Sequence, residues 1–95
     1  MRFILNGKRW NFIRKSDLGR APDGKKYWGK CDPPCAKDKT IQVLASLKNE
    51  DELDTIIHEV LHASAWDVLG ESFVNDTASD LARLLWRLGY RRIPQ

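Results

Sequence analysis

Apolar and polar residues alternate over the first fourteen positions, and from residue 53 onward apolar residues recur at three- and four-residue spacing. Phe3 and Leu5 alternate with Arg2 and Ile4, and Trp10 and Phe12 alternate with Arg9 and Asn11. Asn6-Gly7 separates the two runs, and both turn positions tolerate positive φ, so residues 1–5 and 8–14 are expected to form a hairpin with one apolar face. Residues 16–24, with Gly19, Pro22 and Asp23-Gly24, read as a loop. A third strand is expected over Lys25 to Cys31, closed by Asp32-Pro33-Pro34, and a fourth over Thr40 to Leu44. A helix follows from about Asn49 to Trp66, where Asn49 and Glu52 have the spacing of a capping box. After a short break at 67–70, a second helix opens at Glu71 or Ser72 and reaches Leu88. Gly89 is placed as its left-handed C′ residue with Tyr90 folding back, and Pro94 prevents continuation. The order predicts an α+β domain over 1–95: a small, mainly antiparallel sheet of about four strands followed by a two-helix hairpin.

The second helix has a broad apolar stripe, Phe73, Val74, Ala78, Leu81, Leu84, Leu85 and Leu88. On the first helix Leu53, Ile56, Ile57, Val60 and Ser64 share one face, and His58 and His62 fall nearly opposite. The histidines should therefore look into a cleft or onto solvent.

Length and composition narrow the function classes. Ninety-five residues hold one core, and no apolar run approaches membrane-spanning length. The apolar start meets Asn6-Gly7 too soon for a signal peptide, so a cytoplasmic monomer without membrane contact is expected. Residues 1–48 carry 12 basic and 4 acidic side chains, and 49–95 carry 4 basic and 9 acidic. The basic half is compatible with nucleic acid or an acidic substrate, but its charges are scattered, which favours a solvated surface. Two cysteines, Cys31 and Cys35, do not make the disulfide framework of a small secreted domain.

His58-Glu59-Val60-Leu61-His62 carries the definite chemistry. Residues four apart on a helix share a face, so both imidazoles can reach one metal ion, and zinc is the usual occupant. Glu59 is then placed to polarise a metal-bound water. With no third His in the chain, the remaining protein ligand is an acid, a Cys or nothing; the downstream acids are Asp67, Glu71, Asp76 and Asp80. For a second helix running back along the first at ~1.5 Å per residue, the level of the histidines returns some five to ten residues in. That points to Asp76 or Asp80 and away from Glu71. Asp80, beside Thr77, Leu81 and Leu84, is the expected third ligand.

An HExxH helix followed by an acid on a second helix resembles the gluzincin branch of the zincin metallopeptidases, in which that acid is a Glu. Asp76-Thr-Ala-Ser-Asp80 is similar to the Glu-x-x-x-Asp of the thermolysin group, which would make Asp76 the ligand and Asp80 its supporting acid. Asp in place of Glu departs from the pattern. The chain also resembles small HExxH proteins encoded by bacteriophages, whose ending is similar to residues 78–90, and this likeness implies a bacterial host cytoplasm. The resemblance implies a minimal zincin-like fold and zinc-dependent hydrolysis of a peptide or protein, with Glu59 as general base. It further implies an edge strand beside the helix that holds the substrate, with Thr40 to Leu44 as that strand. No Tyr or His stands out as an oxyanion stabiliser; Tyr27 and Tyr90 are the only tyrosines.

Two non-catalytic alternatives for a nucleic-acid- or protein-binding module stand beside this: a zincin-derived domain that keeps the motif without catalysis, and a rival assembly that joins Cys31-x3-Cys35 to His58-x3-His62 as a closed Cys2His2 zinc site. The 22 residues between the pairs exceed the usual finger spacing of about 12–15, and Glu59 would have no role in it.

Overall fold

A computed structural model describes residues 1–93 of the chain; Pro94, expected to block any helical continuation, lies outside them. The elements are β1 (Arg2–Leu5), β2 (Lys8–Lys15), β3 (Gly29–Cys31), β4 (Thr40–Leu44), α1 (Asn49–Ser64) and α2 (Glu71–Arg87). The chain is thus a small α+β fold, four strands and then two helices.

The strands form one sheet in the order β1-β2-β4-β3. Asn6 and Gly7 take φ of 51° and 75°, the left-handed pair that a two-residue hairpin turn needs, and β1 pairs antiparallel with β2. β3 and β4 are also antiparallel, but the central pair, β2 with β4, is parallel. The long segment between β2 and β3 makes this possible: it carries the chain past one strand width, and β4 returns to fill the slot. β3 is shorter than the expected 25–31 because residues 19–27 fold on themselves. Ala21 donates its amide to Lys25 O, and Tyr27 donates to Gly19 O.

The slot makes β4 an interior strand, and its composition fits. Ile41 and Val43 are fully buried and pack with Trp10, Phe12 and Ala63. Each such aliphatic side chain contributes about 1.5–3 kcal/mol through burial. Ile56 and Val60 of α1 close over this cluster. The most deeply buried line of α1, however, is largely polar: Glu52, Thr55, Glu59 and Ala63.

The expected capping box does not form. Asn49 takes φ of 59°, no side chain caps the helix, and Glu52 instead accepts from Arg14 of β2 at 3.2 Å and lies 3.5 Å from Arg92. Burial of Glu52 under α1 makes the cationic partner a stronger demand than the cap. At the other end α1 stops at Ser64, two residues before the expected Trp66, and Asn6 of the hairpin turn donates to the Ser64 carbonyl at 3.3 Å. α2 ends as its sequence implies. Gly89 has φ of 95° and donates to Trp86 O, while Tyr90 donates to Leu85 O, the paired bonds of a Schellman motif. Among the described residues no helix is long and apolar enough to cross a membrane.

Candidate metal centre

The last two turns of α1 and the first residue of α2 build the site. His58 and His62 stand one turn apart, and their Nε2 atoms approach to 3.1 Å. Glu71 opens α2 and turns back on both: Oε1 lies 3.2 Å from His58 Nε2, and Oε2 lies 3.0 Å from His62 Nε2. The positive end of α2 favours a carboxylate at this position. The imidazoles are about three-quarters buried, whereas the Glu71 side chain is 64% exposed, so the triangle opens to solvent on its Glu71 side.

Three contacts among three groups are more than hydrogen bonding accounts for. Each Nε2 carries at most one proton, so two protons serve three edges, and imidazoles that both donate to Glu71 leave their own 3.1 Å contact without a hydrogen bond. A cation at the centre satisfies all three donors at once. Tetrahedral zinc with ligands at about 2.0–2.1 Å spaces them about 3.3 Å apart, close to the 3.1 Å between the two Nε2 atoms and to the 3.2 and 3.0 Å between each and its own Glu71 oxygen. A metal ion fits this group of His58, His62 and Glu71.

Asp80, expected as the third donor, does not join the histidines. Its side chain is 75% exposed and meets Arg83 at 3.4 Å. Asp76 is exposed as well. Two facts place Glu71 there instead. His62 is only two residues from the end of α1, so α2 is back at the level of the pair in its first turn. Asp80 is nine residues further on, about 13 Å along the axis. It also lies on the flank of α2 turned away from α1, the flank facing α1 being that of Glu71, Asn75 and Ser79.

A cleft of about 390 Å³ lies beside the triangle, lined by Trp28 and Gly29, by Asp54, Thr55, His58 and Glu59 of α1, and by Asn75 and Ser79 of α2. Ser79 donates to Asp54 at 2.9 Å and ties the two helices one turn before His58. Glu59 is 8% exposed. Burial, with the Glu71 charge adding to it, pushes its carboxyl up to about 7. The His58 imidazole is held below its ordinary range, first by burial and then by His62, against the opposing pull of Glu71 and Asp54. It is therefore neutral near pH 7, the form that binds a metal.

The strand beside the cleft is β3. Thr40 to Leu44, expected as the substrate edge strand, lies between β2 and β3 and has both edges paired. Gly29 of β3 was not expected at the site. A β-carbon there would stand 2.8 Å from both Glu59 Cγ and Thr55 Cγ2, so only glycine lets α1 lie this close. A glycine inside an apparent strand was the available signal, since it often marks close backbone approach. Trp28, Asp54, Asn75 and Ser79 carried no such signal.

The cysteines do not join the histidines in any group of metal donors among the described residues. Both are free thiols. Cys31 packs at the core margin, where burial and then the charges of Glu59 and Asp32 push its thiol up to about 12.

No family model matches the chain, and comparisons with curated proteins and with solved structures return no match.

Proposed function

We propose that this protein is a zinc-dependent hydrolase of peptide bonds, with His58, His62 and Glu71 as metal ligands and Glu59 as general base. One observation carries the reading: two imidazoles and a carboxylate within metal-binding distance of one another, with a buried carboxyl raised to about 7 on the same helix, in the same cleft as His58. Bound zinc would supply Lewis-acid polarisation of a water and of the scissile carbonyl. The residues of the chain do the rest. His58 and His62 bind through Nε2, and Glu71 offsets part of the ionic charge from the end of α2. Glu59 takes a proton from the attacking water and delivers it to the departing amine nitrogen, a role for which a pKa near the working pH is suited. The exposed edge of β3 offers backbone groups to an extended substrate, with Trp28 as a wall of the cleft.

Glutamate at position 71 is the residue type that the gluzincin resemblance implies for the third ligand. It comes sooner than that pattern, with eight residues (63–70) after His62 where Asp80 would leave seventeen. The closed Cys2His2 module is not supported by the arrangement, since the cysteines stand apart from the His pair.

The test is metal content and peptidase activity of wild type, His58→Ala and Glu59→Gln. Wild type should bind about one zinc and cleave an unfolded protein substrate. His58→Ala should lose both, and Glu59→Gln should keep the zinc and lose cleavage. Cleavage undiminished in Glu59→Gln would sink the catalytic assignment.

A further inference from the structure

Helix α2 carries two apolar lines, and the core of the protein uses one of them. Val74, Ala78 and Ala82 are fully buried. Leu81, Leu84 and Leu88 are 39%, 53% and 65% exposed, and with Thr77 they form a second line about 90° round the helix from the first. Their spacing, 77, 81, 84 and 88, is the alternating four-and-three of a helix-pairing seam, about 16 Å long. Contiguous exposed leucines of this kind mark an interaction surface.

The charges beside the seam say what it fits. Its solvent-side flank has Asp76 and Asp80 in the N-terminal half of α2, and Arg83 and Arg87 in the C-terminal half. Against a second copy running parallel, acid meets acid and base meets base. Against an antiparallel copy, each acidic half meets a basic half, and the arrangement closes with two-fold symmetry. The register follows from the apolar residues. Leu81 opposite Leu84 of a second copy, and Leu88 opposite its Thr77, fill every layer of the seam. The same register sets Asp80 alongside Arg87 of the second copy, twice.

We infer that α2 is a self-association surface, two copies pairing through antiparallel Leu81/Leu84/Leu88 seams flanked by reciprocal Asp80–Arg87 pairs. One helix seam falls short of the roughly 800 Å² per partner of a standard stable interface, so the dimer is weak and depends on concentration. It is independent of metal binding.

Sedimentation equilibrium of the full chain, with a chelator present so that no ion bridges copies through the exposed Glu71, tests this up to about 1 mM protein. The mass should move from monomer toward dimer. Leu84→Asp should stay monomeric with its thermal unfolding unchanged, because that side chain is exposed. Asp80→Arg and Arg87→Asp should each weaken association about tenfold, the ~1.4 kcal/mol of two exposed pairs turned repulsive. The double exchange should restore it, which does not depend on how Leu84→Asp folds. A chain monomeric throughout, a dimer that survives Leu84→Asp, or a double exchange as weak as the single ones would overturn the proposal.

Discussion

Gly29 and Glu59 meet across the gap between β3 and α1, and the contact has no room for one more carbon: a β-carbon at Gly29 would lie 2.8 Å from Glu59 Cγ. Thr55 Cγ2 blocks the same point from one turn away, so rotating one side chain gives no relief. Gly29→Ala must push the helix bearing the histidines off the sheet. Overpacking of this kind costs about 1–3 kcal/mol. Urea unfolding should show that loss, and any peptidase activity should fall with it. Wild-type stability in Gly29→Ala would mean that α1 is free to shift.

The third ligand can be read from zinc affinities. Glu71→Ala removes an oxygen donor from each of two edges of the triangle, and its effect should exceed the about 10–100-fold typical of losing a supporting partner. Asp80→Ala and Asp76→Ala, both exposed and outside the group that includes the histidines, should leave affinity unchanged. Competition titration against a chromophoric chelator gives the order directly. A larger loss at Asp80 than at Glu71 would return the ligand to the middle of α2.

Glu59 gives the metal-free protein a pH dependence of definite sign. Its carboxyl is raised from 4.5 to about 7 in the folded state, so the unfolded chain ionises first as pH rises. The stability is fully present below the unfolded value and is lost as pH climbs through the folded one, by on the order of 3 kcal/mol. His58, held low, works oppositely: its contribution is present above the unfolded value and is lost as pH falls. Glu59→Gln isolates the acid. Relative to that variant, metal-free wild type should lose melting temperature between pH 5 and pH 8, these limits being chosen on about either side of the shift. A constant difference would mean that Glu59 is not held protonated.

The two thiols should separate under alkylation. Cys35 is exposed, whereas Cys31 is half-buried and pushed up to about 12. At pH 8 Cys31 is therefore held as the thiol, not the reactive thiolate. Iodoacetamide followed by peptide mass analysis should modify Cys35 first and Cys31 only under denaturant. Zinc that protects both cysteines equally would revive the Cys2His2 site.

Elements whose causes are local were legible in the chain. Asn6-Gly7 dictates its hairpin, Ile41 and Val43 mark β4, and Gly89 with Tyr90 closes α2, because turn conformation, strand patterning and helix termination depend on residues within a few positions of each other. The spacing of His58, Glu59 and His62 likewise brings the two imidazoles together through helical geometry alone.

What α2 does with its surface was decided by tertiary structure. The sequence shows one broad apolar stripe from Phe73 to Leu88, and nothing local says which edge of it turns inward. Packing against α1 buries the small residues Val74, Ala78 and Ala82, which allow close approach, and leaves Leu81, Leu84 and Leu88 outside. That choice of rotation carries Asp80 away from the histidines, and the early stop of α1 at Ser64 brings Glu71 to them. The parallel pairing of β2 with β4 has the same origin. A loop that skips a strand position leaves no mark in its own residues, and only the burial of the strand that fills the slot rewards it.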